Sequence, residues 1–85
     1  MAYPLPKWLM YRYVILWRAF QSAEFSHDDA AYTLQERNPM LTSVVLSGLK
    51  RAGWLMMRLD PVDSRKRLYS MKNPERAVNE LNVPV

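Results

Sequence analysis

Leu49-Lys-Arg-Ala-Gly-Trp-Leu-Met-Met-Arg-Leu-Asp-Pro-Val-Asp-Ser-Arg-Lys-Arg-Leu-Tyr-Ser-Met71 is the stretch that decides the fold. It reads as the end of a helix, a stop at Gly53, a strand, a basic loop and a returning strand. Gly is the residue that most easily adopts the left-handed conformation that ends a helix. Trp54–Leu59 and Lys66–Met71 are the two strands of a hairpin. The connection, Asp60-Pro-Val-Asp-Ser-Arg65, is built from turn formers. The same window carries the charge imbalance of the chain. Lys50, Arg51, Arg58, Arg65, Lys66 and Arg67 oppose only Asp60 and Asp63, a net of +4, and the whole protein also nets +4. Everything outside the window is therefore neutral, and the positive charge sits on one edge suited to a polyanion.

Working back from Gly53, Asn38-Pro39 supplies a helix cap and a proline for the first helical position. A third helix is expected over about 39–52. Leu41, Val45, Leu49 and Ala52 share one face of it, and Met40, Ser43, Ser47, Lys50 and Arg51 point mostly the other way. Thr42, Val44 and Leu46 lie near the boundary, where periodicity does not place them. Gly48 costs about 1 kcal/mol relative to Ala inside a helix, and close packing against the second helix would account for it. Ser26 and Asp29 form a capping-box pattern that opens a second helix, about 27–35, with Ala30, Ala31 and Leu34 inward. Glu24-Phe25 is long enough only for a bridge-like strand. Upstream, Pro6 precedes a stretch without Gly or Pro. Its residues Leu9, Tyr13, Leu16, Trp17 and Phe20 recur at helical spacing, giving a first helix over about 7–20. Asn73-Pro74-Glu75 opens a last helix, about 74–81, which stops near Asn82 and Pro84.

The expected fold class is α+β and mostly helical. It is a winged helix-turn-helix with a three-helix core, a β-hairpin wing over about 54–71 and a short C-terminal helix, all in one domain spanning 1–85. The function that follows from this geometry is sequence-specific binding of double-stranded DNA. A helix fits the major groove and a neighbouring hairpin reaches the backbone or minor groove. The candidate contacts on the third helix are Asn38, Thr42, Ser43, Ser47, Lys50 and Arg51, with Thr42, Ser43 and Ser47 as short hydrogen-bonding groups for base edges and Lys50 and Arg51 for phosphates. Those on the wing are Ser64, Arg65, Lys66 and Arg67. Strand alternation puts Arg65 and Arg67 on one side and Lys66 on the other.

The stretch Leu49-Lys-Arg-Ala-Gly-Trp-Leu, followed by Arg58-Leu-Asp-Pro-Val-Asp-Ser-Arg-Lys-Arg-Leu-Tyr-Ser-Met71, resembles the recognition-helix end and wing of MarR-type winged-helix regulators. The likeness is close over about 23 residues and extends in layout over 24–71. It implies a transcription regulator, usually homodimeric. It also implies that Asp63 is the wing acid that braces the loop and Arg65 the arginine that enters the minor groove. The terminal helices build the dimer in such proteins, so a homodimer through the first and last helices is expected. At about eight residues, however, the last helix is shorter than the family's long dimerising helix. The surplus of aromatics on the first helix points the same way, because Trp8, Tyr11 and Tyr13 do not share a single stripe. A helix apolar around most of its circumference is covered on more than one side.

Composition narrows the alternatives. With 85 residues, 49% of them hydrophobic, the chain has apolar mass for one small core. It has no Cys, which removes disulfides, thiolate metal sites and Cys nucleophiles. The absence of staples fits a cytoplasmic protein. The apolar run 8–17 is about half of the roughly 20 residues a membrane span needs, and Arg12 interrupts it. His27, the lone histidine, lacks companions with metal-ligand spacing and reads as a solvated residue of the capping turn. Asp28 and Asp29 read as helix-capping acids rather than as a catalytic pair. The two glycines, Gly48 and Gly53, make no phosphate loop. No enzyme, metal or cofactor is expected. Two other readings share the fold: a winged-helix protein–protein interaction module with an acidic partner, and the DNA-binding portion of a larger antitoxin-like protein.

Overall fold

The computed structural model describes residues 2–81. Its elements, in chain order, are α1 (Lys7–Phe20), α2 (His27–Thr33), α3 (Pro39–Arg51), β1 (Leu55–Leu59), β2 (Arg67–Met71) and α4 (Pro74–Asn79). The two strands pair antiparallel with Leu55 opposite Met71 and Leu59 opposite Arg67. Phe25 adds a single antiparallel bridge to Tyr69, so the short strand expected at Glu24-Phe25 is one bridge on the outer edge of β2. The architecture is a three-helix core carrying a hairpin wing, the winged helix.

Caps explain most of the boundaries. Ser26 accepts from the Asp29 amide at 3.1 Å and Asp29 returns the bond to the Ser26 amide at 3.0 Å, a complete capping box. Asn38 and Asn73 cap α3 and α4 through side-chain oxygens that accept from Met40 and Glu75, with proline at the first helical position of each. Gly53 (φ 86°) ends α3 in a Schellman motif, with Trp54 N donating to Leu49 O at 2.9 Å and Gly53 N to Lys50 O at 3.1 Å.

The second helix ends two residues before the expected Gln35. Glu36 N donates to Ala31 O and Gln35 N to Tyr32 O, the same Schellman pattern, but its left-handed position is filled by Gln35 (φ 55°). With no glycine there, the sequence carried no stop signal. The last helix likewise ends at Asn79; Asn82 and Pro84, read as its stop, lie outside the described residues.

The core is one cluster. Leu9, Tyr13 and Leu16 of α1, Ala30 of α2, Val45, Leu46 and Leu49 of α3, and Trp54, Leu55, Tyr69 and Met71 of the hairpin region all lie inside it. Burying such side chains is worth roughly 1.5–3 kcal/mol each. The Tyr13 ring meets Trp54 edge-on at 5.0 Å, and Phe25 stacks on Phe20 at 4.4 Å. Tyr13 also donates its hydroxyl to the Lys72 carbonyl, and burial pushes its pKa up to about 12. Trp54 Nε1 donates to the Tyr3 carbonyl at 2.7 Å, fixing the N-terminal segment over the end of α3.

Two packing expectations are corrected. Leu41 is 45% exposed, and Thr42 and Leu46 are buried in its place. The inward face of α3 is thus centred on Thr42, Val45, Leu46 and Leu49, rotated from the face that the Leu41, Val45 and Leu49 spacing predicts. Periodicity alone cannot fix that rotation, because it admits every stripe of similar hydrophobicity. Gly48 faces α1, not the second helix. A Cβ there would lie 3.1 Å from Leu9 Cδ2, so the missing side chain lets α1 and α3 approach closely.

Candidate nucleic-acid interface

The rotation of α3 decides what it presents outward. Successive residues on a helix turn through about 100°. With Thr42, Val45, Leu46 and Leu49 inward, the opposite pole carries Met40, Val44, Ser47 and Arg51. Ser43 and Lys50 flank it on one side. The exposures agree: Met40 is 71% and Val44 50% exposed, and Ser43, Ser47, Lys50 and Arg51 are exposed. Thr42, a candidate for base contact, is corrected. It is fully buried, and its Oγ1 has no hydrogen-bond partner. Asn38 is exposed, with its side-chain oxygen committed to the α3 cap.

Ser43 is less free than its exposure implies. Its hydroxyl donates to the Pro39 carbonyl at 3.1 Å, and its Oγ lies 3.1 Å from His27 Nε2. With the hydroxyl proton so placed, Nε2–H is the donor to Ser43. His27 is therefore not simply solvated in its capping turn: it is half-buried and ties the start of α2 to α3. No local spacing signals this contact, which joins residues sixteen apart in the chain.

The wing turn is braced by its acids through the backbone. Asp60 Oδ1 accepts from Val62 N at 2.8 Å, and Asp63 Oδ1 accepts from Arg65 N at 3.1 Å. Lys66 N donates to Asp63 O, and Asp60 N to Lys66 O, both at 2.9 Å. Asp63 thus fixes the backbone at Arg65 without engaging its guanidinium. Asp60, not singled out in the sequence, does similar work one turn earlier. Arg65 lies in this turn, before β2 begins at Arg67. The expected strand alternation of Arg65, Lys66 and Arg67 therefore applies to neither Arg65 nor Lys66, both of which precede β2. Ser64 is exposed in the same turn.

One cation of the basic window has a different role. Arg58 Nε and Nη2 donate to both carboxylate oxygens of Glu24. That hydrogen bonding holds the Glu24 carboxyl below its ordinary range and raises the Arg58 guanidinium. The pair is a strut between the first wing strand and the segment before Phe25. Lys72 and Arg76 converge on Glu80 in the same way, joining the end of the hairpin to α4. Among the described residues, Lys50, Arg51, Arg65, Lys66 and Arg67 make no ion pair.

All of these but Lys50 fall around two adjoining depressions. Ser43, Ser47, Arg65, Lys66 and Arg67 line a concavity of about 420 Å³ between α3 and the wing, together with Ser26, His27 and Asp28 at the start of α2. Met40, Val44 and Arg51 line a second groove on the other side of α3, beside Trp8 and Gly48. The outer pole of α3 is the ridge between them. Among the described residues no cluster of His, Asp or Glu is placed to hold a metal, and no helix is long and apolar enough to cross a membrane.

No family model matches the chain, and no curated protein does. Solved structures do. A substituted form of S. aureus MepR bound to an oligodeoxyribonucleotide aligns over 89% of this chain with a TM-score of 0.67 and 20% identity. A second substituted MepR gives the same values. A third, from a multidrug-resistant S. aureus clinical isolate, aligns over 84% with a TM-score of 0.57 and 24% identity. The chain spans about half of their length, 54%, 54% and 46% respectively. At these identities the likeness is one of fold, and the chain has the winged-helix fold of MepR, as its resemblance to MarR-type regulators implied.

Proposed function

We propose that the protein binds double-stranded DNA sequence-specifically and acts as a transcription regulator, without enzymatic activity, in the cytoplasm. In this reading α3 lies in the major groove and the wing tip meets the adjoining backbone or minor groove. The observation that carries it is the convergence of the exposed side of α3 with Arg65, Lys66 and Arg67 on one concavity, with all three cations free of ion pairs among the described residues. The fold likeness supports it, because one MepR structure of this fold holds an oligodeoxyribonucleotide.

The functional unit in this reading is a homodimer. Tyr11 on α1 and Val78 on α4 are exposed large apolar residues, as a partner-facing surface requires. The length of α4, six residues, makes α1 the larger contributor.

The test is binding to random duplex DNA across a salt series, with wild type and an Arg65→Ala, Arg67→Ala double variant. Binding at low salt that weakens as salt rises, and weakens on every sequence in the variant, is the expected result. No binding of the wild type, with a stable complex to an acidic protein, would favour the interaction-module reading.

A further inference from the structure

The outer pole of α3 carries two features that phosphate binding does not use. Met40 and Val44 stand one turn apart at its centre, 71% and 50% exposed. They sit in line with Ser47 and Arg51, which follow at spacings of three and four residues. Polar side chains usually crown a solvent-facing helix, and an exposed apolar pair in that position has no role in the core. The major groove offers one apolar feature to such a pair, the C5-methyl group of thymine.

We propose that Met40 and Val44 read thymine methyl groups, so that the recognised site carries thymine where these side chains meet the bases. The inference rests on the DNA-binding reading above and specifies what α3 reads. The two serines add hydrogen-bonding groups, and Ser43 is partly committed to Pro39 and His27. That leaves the apolar pair and Ser47 as the principal uncommitted groups of the ridge.

Charge decides between DNA and a second copy of the chain as the occupant. Arg51 lies on the same ridge, exposed Lys50 flanks it, and Arg65, Lys66 and Arg67 line the neighbouring concavity, where Asp28 is the single carboxylate against three cations. Two copies meeting across this face would bring unpaired cations against cations. A polyanion that also presents methyl groups satisfies both the charged and the apolar parts.

The experiment uses a duplex recovered from a random library by selection with the wild-type protein. Each thymine is replaced in turn by uracil, which removes only the methyl group. Wild type, Met40→Ala and Val44→Ala are compared on every duplex. Both residues are exposed, so the variants retain the fold, which circular dichroism and thermal melting verify. Uracil at one or two positions should weaken wild-type binding about fourfold per methyl group lost from contact. The penalty at one position should disappear in one of the two variants, the signature of a direct pair.

Equal binding of thymine and uracil duplexes, with salt-dependent binding intact, overturns the methyl reading and leaves DNA binding standing. Absence of any duplex binding overturns both. Variants that lose self-association in sedimentation, with DNA affinity unchanged, would assign the pair to a protein interface and overturn it also.

Discussion

Thr42 shows how one residue changes meaning between sequence and structure. Its hydroxyl type marks it as a base reader, yet its side chain is fully buried and its Oγ1 has no partner. An unsatisfied buried hydroxyl costs about 1–3 kcal/mol. Thr42→Val should therefore stabilise the protein by about 1 kcal/mol in urea or thermal unfolding, with DNA affinity unchanged. A loss of affinity without a loss of stability would place Thr42 at the interface after all. Asp63 makes the complementary point. Its contribution runs through the Arg65 amide, so Asp63→Ala should loosen the wing turn and weaken DNA binding while leaving the charge of Arg65 in place. Asp63→Asn keeps an acceptor oxygen and should retain most of the affinity.

At the scale of elements, helix ends are where the chain is most and least legible. Gly53 ends α3 as its type predicts, and the same motif ends α2 with a glutamine in the left-handed position. A non-glycine residue there is costly, because Cβ crowds the backbone carbonyl. Gln35→Gly should raise stability by about 0.5–1 kcal/mol, measured by chemical unfolding, and leave the α2–α3 turn unchanged. The wing is a second case. Its strands and turn follow from alternation and turn formers, but its orientation depends on the Glu24–Arg58 strut across 34 residues. Glu24→Gln should leave overall stability nearly unchanged, since exposed ion pairs contribute little, and should increase amide exchange in β1.

Across the whole molecule, the positive edge and the buried tyrosine give two measurable behaviours. Five cations of the basic window, Lys50, Arg51, Arg65, Lys66 and Arg67, make no ion pair among the described residues and are available to phosphates. Each neutralised phosphate contributes about −0.9 to the slope of log affinity against log salt, so the slope should approach about −4.5 per protomer. Removing Arg65 and Arg67 should reduce its magnitude by about 1.8. The second behaviour is alkaline. Tyr13 has a folded pKa pushed up to about 12 against an ordinary value of 10.0, through burial. The unfolded chain therefore loses the proton first, and stability falls as pH rises from 10 to 12. The loss should be on the order of 2 kcal/mol and should be absent in Tyr13→Phe, which has no proton to lose.

The amino-acid sequence alone determined the element order, the capping of α2, α3 and α4, the glycine stop, the hairpin and the location of the charge. These depend on neighbours a few residues apart, where residue type fixes local conformation. The rotation of α3 was not legible, because a helical stripe of Leu41, Val45 and Leu49 and one of Thr42, Val45 and Leu46 differ only in which neighbours cover them. Packing against α1 and the hairpin chose the second. That choice took Thr42 out of the candidate interface and put Met40 and Val44 at its centre. The His27–Ser43 contact and the Glu24–Arg58 strut were unreadable for the same reason: each joins side chains distant in the chain that only the tertiary structure brings within hydrogen-bonding reach.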